Sequence, residues 1–384
     1  MMKLKWLAAA TLAVALLLPA GGNSTSAAAY SFGWEQGGVS GGPVIVKKGV
    51  TYVAIQSVIG TAGLQMQWDK SDQRASFTGW NKKFAVRIGS STGVLDGKTV
   101  DLGGTPFMDK DDLYIPARFV VNALDGGPLH WDKATGSIKA NGLQMFVKEV
   151  DSETYDGATY SLERNDTRQL GDLFVTGADG VQKKLITLEA AEFDFVSFQF
   201  HKTSKGLTIV TVLNNFGEPH INYHYYTLVL KNGNVIRKAD VRYWQRNAQN
   251  IVEADGQIVV TNGKTVRFIE DGTGNVLQTL DLEKIGKSQE VYSVEAADND
   301  FLLMRPNQTG LLTFVDRHTS EAVVLYKQLL SPEEQHYAET NDIPYFGDEL
   351  QFIERKGDTL YFKNKSGLTD DKKIYEFKLP VKTS

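Results

Sequence analysis

Carboxylates, a few histidines and scattered aromatic rings are what this sequence offers for chemistry. Asp172, Glu192, Asp194 and Glu218 are candidates for a glycosidase pair, since cleaving a sugar acetal needs one carboxylic acid at the leaving oxygen and one carboxylate opposite it. Position along the chain ranks none of them above the others. Asp109-Lys110-Asp111-Asp112 has the acidity for calcium, yet it lacks the glycine and distal glutamate of an EF-hand loop and reads as an acidic turn before a strand. His220 and His224 share a face of an extended segment but stand ~13 Å apart, too far to chelate one ion. No GxSxG, HExxH, phosphate-cradling glycine loop or dinucleotide fingerprint occurs. The absence of Cys excludes disulfides, thiolate metal sites, Cys nucleophiles and a lipid-anchoring Cys. No catalytic, cofactor-binding or metal-binding residue is therefore assigned, and no cofactor is expected. Stacking is the remaining route. Trp80, and Tyr243-Trp244 beside Arg242 and Arg246, form a possible ligand platform that could lie against a sugar ring or a partner, with core packing as the competing role.

The elements that must position these groups begin with an internal repeat. Thr51-Tyr52-Val53-Ala54-Ile55 aligns with Leu113-Tyr114-Ile115-Pro116-Ala117 at an offset of 62, and Trp68-Asp69-Lys70 aligns with Trp131-Asp132-Lys133 at 63. Each copy closes with an alternating stretch, RASFTG or SIKANG. In the second copy Tyr114 and Ile115 end a strand, and Pro116 suits the first turn of a helix, where its missing N–H has no intrahelical partner. Phe119, Val120, Ala123 and Leu124 recur at helical spacing and need a sheet to cover them. Asp125-Gly126-Gly127-Pro128 stops the helix, Trp131 is expected in the core, and Asp132 shapes the next turn.

The stretch LYIPARFVVNALDGGPLHWDKATGSIKA resembles the copper amine oxidase N-terminal-like domain, or stalk domain, common in secreted proteins of Gram-positive, spore-forming bacteria. The resemblance runs from approximately Gly42 to Val147 and rests on Tyr114, Pro116, Arg118, the helix and Trp131-Asp132; the first copy departs from it with Ala54 and Gln56. It implies a small α+β fold, an antiparallel sheet wrapped around a helix, acting as an accessory without catalytic residues. The catalytic domain of that family carries Asn-Tyr-Asp/Glu-Tyr and three copper-binding His. Asn222-Tyr223-His224-Tyr225 is similar but puts His in place of the acid, and too few residues follow Val150 for that domain. An amine oxidase is not expected. The guanidinium of Arg118 can hold a carboxylate inside the domain or an anion outside it, and the internal partner is the expectation.

Beyond about Tyr155 helical periodicity nearly vanishes, and short alternating runs separated by Gly, Asn and Asp indicate an all-β region. Asp271 and Asp316 occupy similar turns 45 residues apart. That spacing suits a four-stranded propeller blade, and roughly 230 residues give about five blades. The Asp at each turn is read as tying its own hairpin. A β-sandwich or jelly roll is the competing fold. Ser331-Pro332-Glu333-Glu334 has the form of a capping box and should open one short helix.

The totals set outer limits. At 384 residues, 42% apolar and 23% charged, the chain has room for two packed domains and no composition for wholesale disorder. Lys3 and Lys5, an apolar run from Trp6 to Leu18 and Ala27-Ala28-Ala29 predict a secretory leader over 1–29, the run being shorter than the ~20 residues that span a bilayer. Without Lys3 and Lys5 the formal charge of -5 becomes -7; no basic stripe occurs, so nucleic acid is not an expected partner. The expected organisation is leader (1–29), stalk-type domain (30–150) and all-β propeller-like domain (151–384). The expected role is a secreted or cell-wall-associated, non-catalytic binder of a wall polymer, polysaccharide or extracellular protein, with no transmembrane segment in the mature chain. The alternative is a polysaccharide hydrolase with a carboxylate pair in the propeller funnel.

Overall fold

The computed structural model describes residues 29–35, 37–167, 169–341, 346–366 and 373–380. Except for Ala29, the expected leader lies outside the described residues. The chain forms two compact units, 1–146 and 147–384. No helix among the described residues is long and apolar enough to cross a membrane.

The first unit runs β1 (Ala29–Trp34), β2 (Val39–Lys47), β3 (Val50–Ala54), α1 (Gln56–Ile59), β4 (Gln65–Asp69), β5 (Arg74–Gly79), β6 (Lys82–Arg87), β7 (Thr92–Leu95), β8 (Lys98–Asp101), β9 (Phe107–Asp109), β10 (Asp112–Pro116), α2 (Ala117–Ala123), β11 (His130–Asp132) and β12 (Ser137–Leu143). Its strands make a seven-stranded sheet, β11-β12-β1-β2-β3-β10-β9, and a five-stranded sheet in the order β4 to β8. The repeat is visible as β3-α1-β4-β5 followed by β10-α2-β11-β12. The copies meet through their equivalent strands: β3 and β10 pair antiparallel with Val53 opposite Ile115, so a local twofold axis passes through that pair. Both side chains are fully buried. Each copy also uses its Asp in the same way. Asp69 Oδ1 accepts from the Ser71 amide at 2.9 Å, and Asp132 Oδ1 accepts from the Ala134 amide at 2.8 Å.

Several motif residues depart from expectation. Pro116 belongs to β10 and stands at the N-cap with ψ of 125°, one residue ahead of the first helical turn, because it also pairs with Tyr52. Phe119, Val120, Ala123 and Leu124 fill the core as the spacing predicts, with the Phe119 ring edge-on to Phe84 at 5.8 Å. Trp131 does not fill it. It is 51% exposed, because β11 is a three-residue edge strand with no neighbour on its outer side among the described residues. Trp131→Ala is therefore expected to change the unfolding free energy of this unit by no more than about 0.5 kcal/mol, measured by urea denaturation. Arg118 has no internal carboxylate: it is exposed on the outward side of α2 and makes no hydrogen bond or ion pair with any described residue. Tyr114 is half-buried and stacks on Phe107 with ring centroids 5.3 Å apart. The acidic turn at Asp109 to Asp112 joins β9 to β10, with Lys110 at φ 53°.

The second unit is five antiparallel meanders in chain order. Sheet I contains β13 (Glu149–Tyr155), β14 (Ala158–Arg164), β15 (Leu170–Thr176) and β16 (Gln182–Glu189); sheet II contains β17 (Phe195–Lys202), β18 (Thr208–Phe216), β19 (Asn222–Lys231) and β20 (Asn234–Trp244). Sheet III contains β21 (Glu253–Ala254), β22 (Gln257–Thr261), β23 (Thr265–Glu270) and β24 (Val276–Asp281), followed by α3 (Leu282–Gly286). Sheet IV contains β25 (Tyr292–Ala297), β26 (Phe301–Pro306), β27 (Thr313–Asp316) and β28 (Ala322–Val324). After α4 (Tyr326–Leu329) and α5 (Pro332–Thr340), sheet V contains β29 (Leu350–Lys356), β30 (Thr359–Asn364) and β31 (Ile374–Lys378). Ser331 and Glu334 form both halves of the capping box that opens α5.

Successive sheets pack face to face. Leu162, Leu173 and Leu188 of sheet I meet Val210, Val212 and Leu228 of sheet II. Ile209 and Val229 on the other face of sheet II meet Ile258 and Val260 of sheet III. Phe268 of sheet III shares a core with Val294 and Met304 of sheet IV, and Phe314 of sheet IV shares one with Phe362 and Phe377 of sheet V. Five sheets rather than two exclude a simple sandwich for this unit. Asp271 directly follows the third strand of sheet III and Asp316 ends the third strand of sheet IV, at equivalent corners. Asp316 ties its own hairpin through the His318 and Thr319 amides. Asp271 differs: it is 2% exposed and reaches the turn between β17 and β18, accepting from Thr203, Ser204 and the Lys205 amide.

Candidate functional site

Strand β20 alternates strictly over its last six residues, with Ala239, Val241 and Tyr243 buried and Asp240, Arg242 and Trp244 exposed. Opposite it on β19, Tyr226 pairs with Asp240, His224 with Arg242 and Asn222 with Trp244. Directly opposed residues share a face. A strip of six functional side chains thus runs along the two strands, from Tyr226 and Asp240 to Asn222 and Trp244. The Trp244 ring, 54% exposed, stands at its end. Arg242 Nη2 donates to Asn222 Oδ1 at 2.8 Å and its guanidinium lies 4.7 Å from the Phe216 ring centroid, which fixes it beside the Trp.

The other end of the strip is a relay that runs from the exposed Asp240 to the buried His224 and Tyr226. His224 Nε2 lies 3.0 Å from Asp240 Oδ2, and its Nδ1 lies 2.9 Å from the Tyr226 hydroxyl, which donates to the Glu189 carbonyl at 2.6 Å. Glu189 ends β16, so the relay links sheet II to sheet I. The hydrogen bond from His224 holds the Asp240 carboxyl below its ordinary range, against a smaller opposing effect of burial. Burial pushes the Tyr226 hydroxyl up, so it remains a neutral donor. Between β16 and β20 lies a cavity of about 210 Å³ lined by Thr187, Glu189, Tyr226, Lys238 and Asp240, among others. An exposed indole, a fixed guanidinium, an amide and a carboxylate along one strip can stack on a ring and hydrogen-bond its hydroxyls.

The residues expected to form a platform separate here. Tyr243 is fully buried, on the face opposite Trp244, and its hydroxyl reaches Asn250 Oδ1 and the Tyr292 carbonyl; alternation along one strand put the neighbours on opposite sides. Trp80 is half-buried in the first unit, its amide donating to the Phe146 carbonyl at 2.7 Å. Asp172 lies on β15 against Lys184 at 2.7 Å, and although burial would raise its carboxyl, Lys184, Thr187 and Asn165 bring it below the ordinary value. Asp194 pairs with His220 at 2.8 Å, and Glu192 and Glu218 are exposed in connections. His220 precedes β19 rather than lying within it, because the strand starts at Asn222. No cluster of three or more metal-ligating side chains occurs among the described residues. His224, Asp240, Arg242 and Glu189 were missed as a group. The polar even-numbered positions of β20 signal Asp240 and Arg242, and nothing local signals that His224 of β19 and Glu189 of β16 join them.

Residues 39–140 match the family model of the copper amine oxidase N-terminal domain, the family that the strand–helix repeat resembles. No curated protein matches the chain. Among solved structures, the chain is 11% identical to dihydro-heme d1 dehydrogenase NirN in complex with DHE, covering 80% of this chain and 75% of that one with a TM-score of 0.27. It is 10% identical to Saccharomyces cerevisiae Sqt1 over 86% of this chain and 98% of that one, TM-score 0.24. It is 10% identical to apo AztD from Citrobacter koseri over 88% and 80%, TM-score 0.25. Scores this low carry no argument about fold or function.

Proposed function

We propose that the chain is a secreted or envelope-associated binding protein, in which a copper amine oxidase N-terminal domain is joined to a five-bladed, propeller-like unit that binds a hydroxyl-rich wall polymer or polysaccharide. The propeller reading is supported by five consecutive meanders stacked face to face, four of them four-stranded like a blade and the last with three described strands. The binding reading rests on one observation: Trp244 holds a large indole in solvent at the end of a strip of fixed polar side chains. A solvated indole loses little on docking and gains stacking area.

Trp244→Ala should weaken retention on purified cell wall or on the best member of a polysaccharide panel by about tenfold while leaving the melting temperature unchanged. Unchanged retention would remove the strip from the binding site. The hydrolase alternative has a specific observation behind it, since Glu189 and Asp240 line one cavity from facing strands. Asp240 is poorly suited to the acid role because it is held ionised. Soluble sugar released by the wild type and lost in Glu189→Gln or Asp240→Asn would establish hydrolysis instead.

A further inference from the structure

The protons of the His224 relay can be counted. Tyr226 has one hydroxyl hydrogen, and the 2.6 Å contact with the Glu189 carbonyl uses it; two oxygens that close without a hydrogen between them would repel. Toward His224 the Tyr226 oxygen can therefore only accept, so Nδ1 must carry a hydrogen. On the other side Nε2 faces a carboxylate oxygen, which also only accepts. This geometry asks both nitrogens to donate, which only the imidazolium can do. Either neutral tautomer would point a nitrogen lone pair at an oxygen.

We propose that the strip is assembled around a charged His224, and that loss of its proton releases Asp240 or Tyr226 and so weakens ligand binding at Trp244. The second half of this inference rests on the polymer-binding reading above. The charges around the ring are those of a poised device. Asp240 on β20 favours the imidazolium, while Arg242, directly opposite on the same strand, opposes it and is drawn off by Asn222 and the Phe216 ring. Lys238 of β20 and Glu189 of β16 line the adjoining cavity. On the β18 side stands Asn214, which has no charge and is committed to the Glu192 carbonyl and the Asp194 amide. Strong acid would also open the latch, by protonating Asp240, whose carboxyl sits below the ordinary range.

The test has two readouts on the full chain. Long-range 1H–15N spectra at about pH 6 should show both His224 nitrogens protonated, assigned by loss of the signals in His224→Gln. A single protonated nitrogen there overturns the charged latch. Retention on cell wall should fall about three- to tenfold as the pH is raised from about 5.5 to about 8, and that dependence should flatten in His224→Gln. If that variant does not fold, Asp240→Asn, altered at an exposed side chain, should flatten the curve equally. Retention that is insensitive to pH in the wild type overturns the coupling. No retention at any pH defeats the polymer reading and the coupling together, and the spectra still decide the latch by themselves.

Discussion

Arg305→Met should lower the unfolding free energy of the second unit by about 3–5 kcal/mol, as measured by equilibrium urea denaturation. The Arg305 side chain is 5% exposed on the central strand β26 of sheet IV. Its Nε and Nη2 embrace the Glu295 carboxylate, Nη1 donates to the Gly310 carbonyl and to Asp348, and Nη2 also reaches the Leu350 carbonyl at 2.7 Å. Asp348 is completely buried at its side chain and also accepts from the Leu312 amide. One guanidinium therefore joins β25, the connection after β26 and the entry to sheet V. Met fills similar volume, so most of the loss comes from the uncompensated carboxylates. A loss below about 1 kcal/mol would mean that water reaches those carboxylates. Adding Glu295→Met should recover part of the loss, because it removes one of the stranded charges.

Asp271→Ala is expected to cost about 2–3 kcal/mol, since it leaves the buried Thr203 hydroxyl and the Lys205 amide without the acceptor that Asp271 supplies. The effect should depend on pH, with a definite sign. Burial alone would raise the Asp271 carboxyl, but the donors of Thr203, Lys205 and Ser204 bring it below its ordinary value. A carboxyl depressed in the folded state contributes fully above its unfolded value of about 3.9, and the contribution fades as pH falls through the folded value. The gap between wild type and variant should thus be constant near neutrality and shrink below about pH 4. A gap that widens in acid would show that Asp271 acts through something other than its charge.

What could be read in the sequence was whatever depends on neighbours along the chain. The 62-residue offset revealed the duplicated unit because strand, helix and Asp turn are local features. Ser331 and Glu334 announced α5 for the same reason, and the turn residues announced the strands of the second unit. Burial of individual rings was less accessible. Trp131 is apolar and sits in the motif, yet an edge strand leaves it in solvent; Tyr243 and Trp244 are adjacent, yet pleating sends them to opposite faces. The site itself was least accessible, because His224 meets Asp240 only through the β19–β20 register, and Glu189 joins them from another sheet. Asp271 shows the same limit: its turn was evident, but its partners lie 66 to 68 residues away.

The pairing of β3 with β10 about Val53 and Ile115 bears on how such a domain could arise. A strand that meets its own counterpart residue for residue around a central position is self-complementary. A protein holding a single copy would present that edge to an identical molecule and close as an isologous dimer. Fusing the two genes end to end would keep the interface and remove its dependence on concentration.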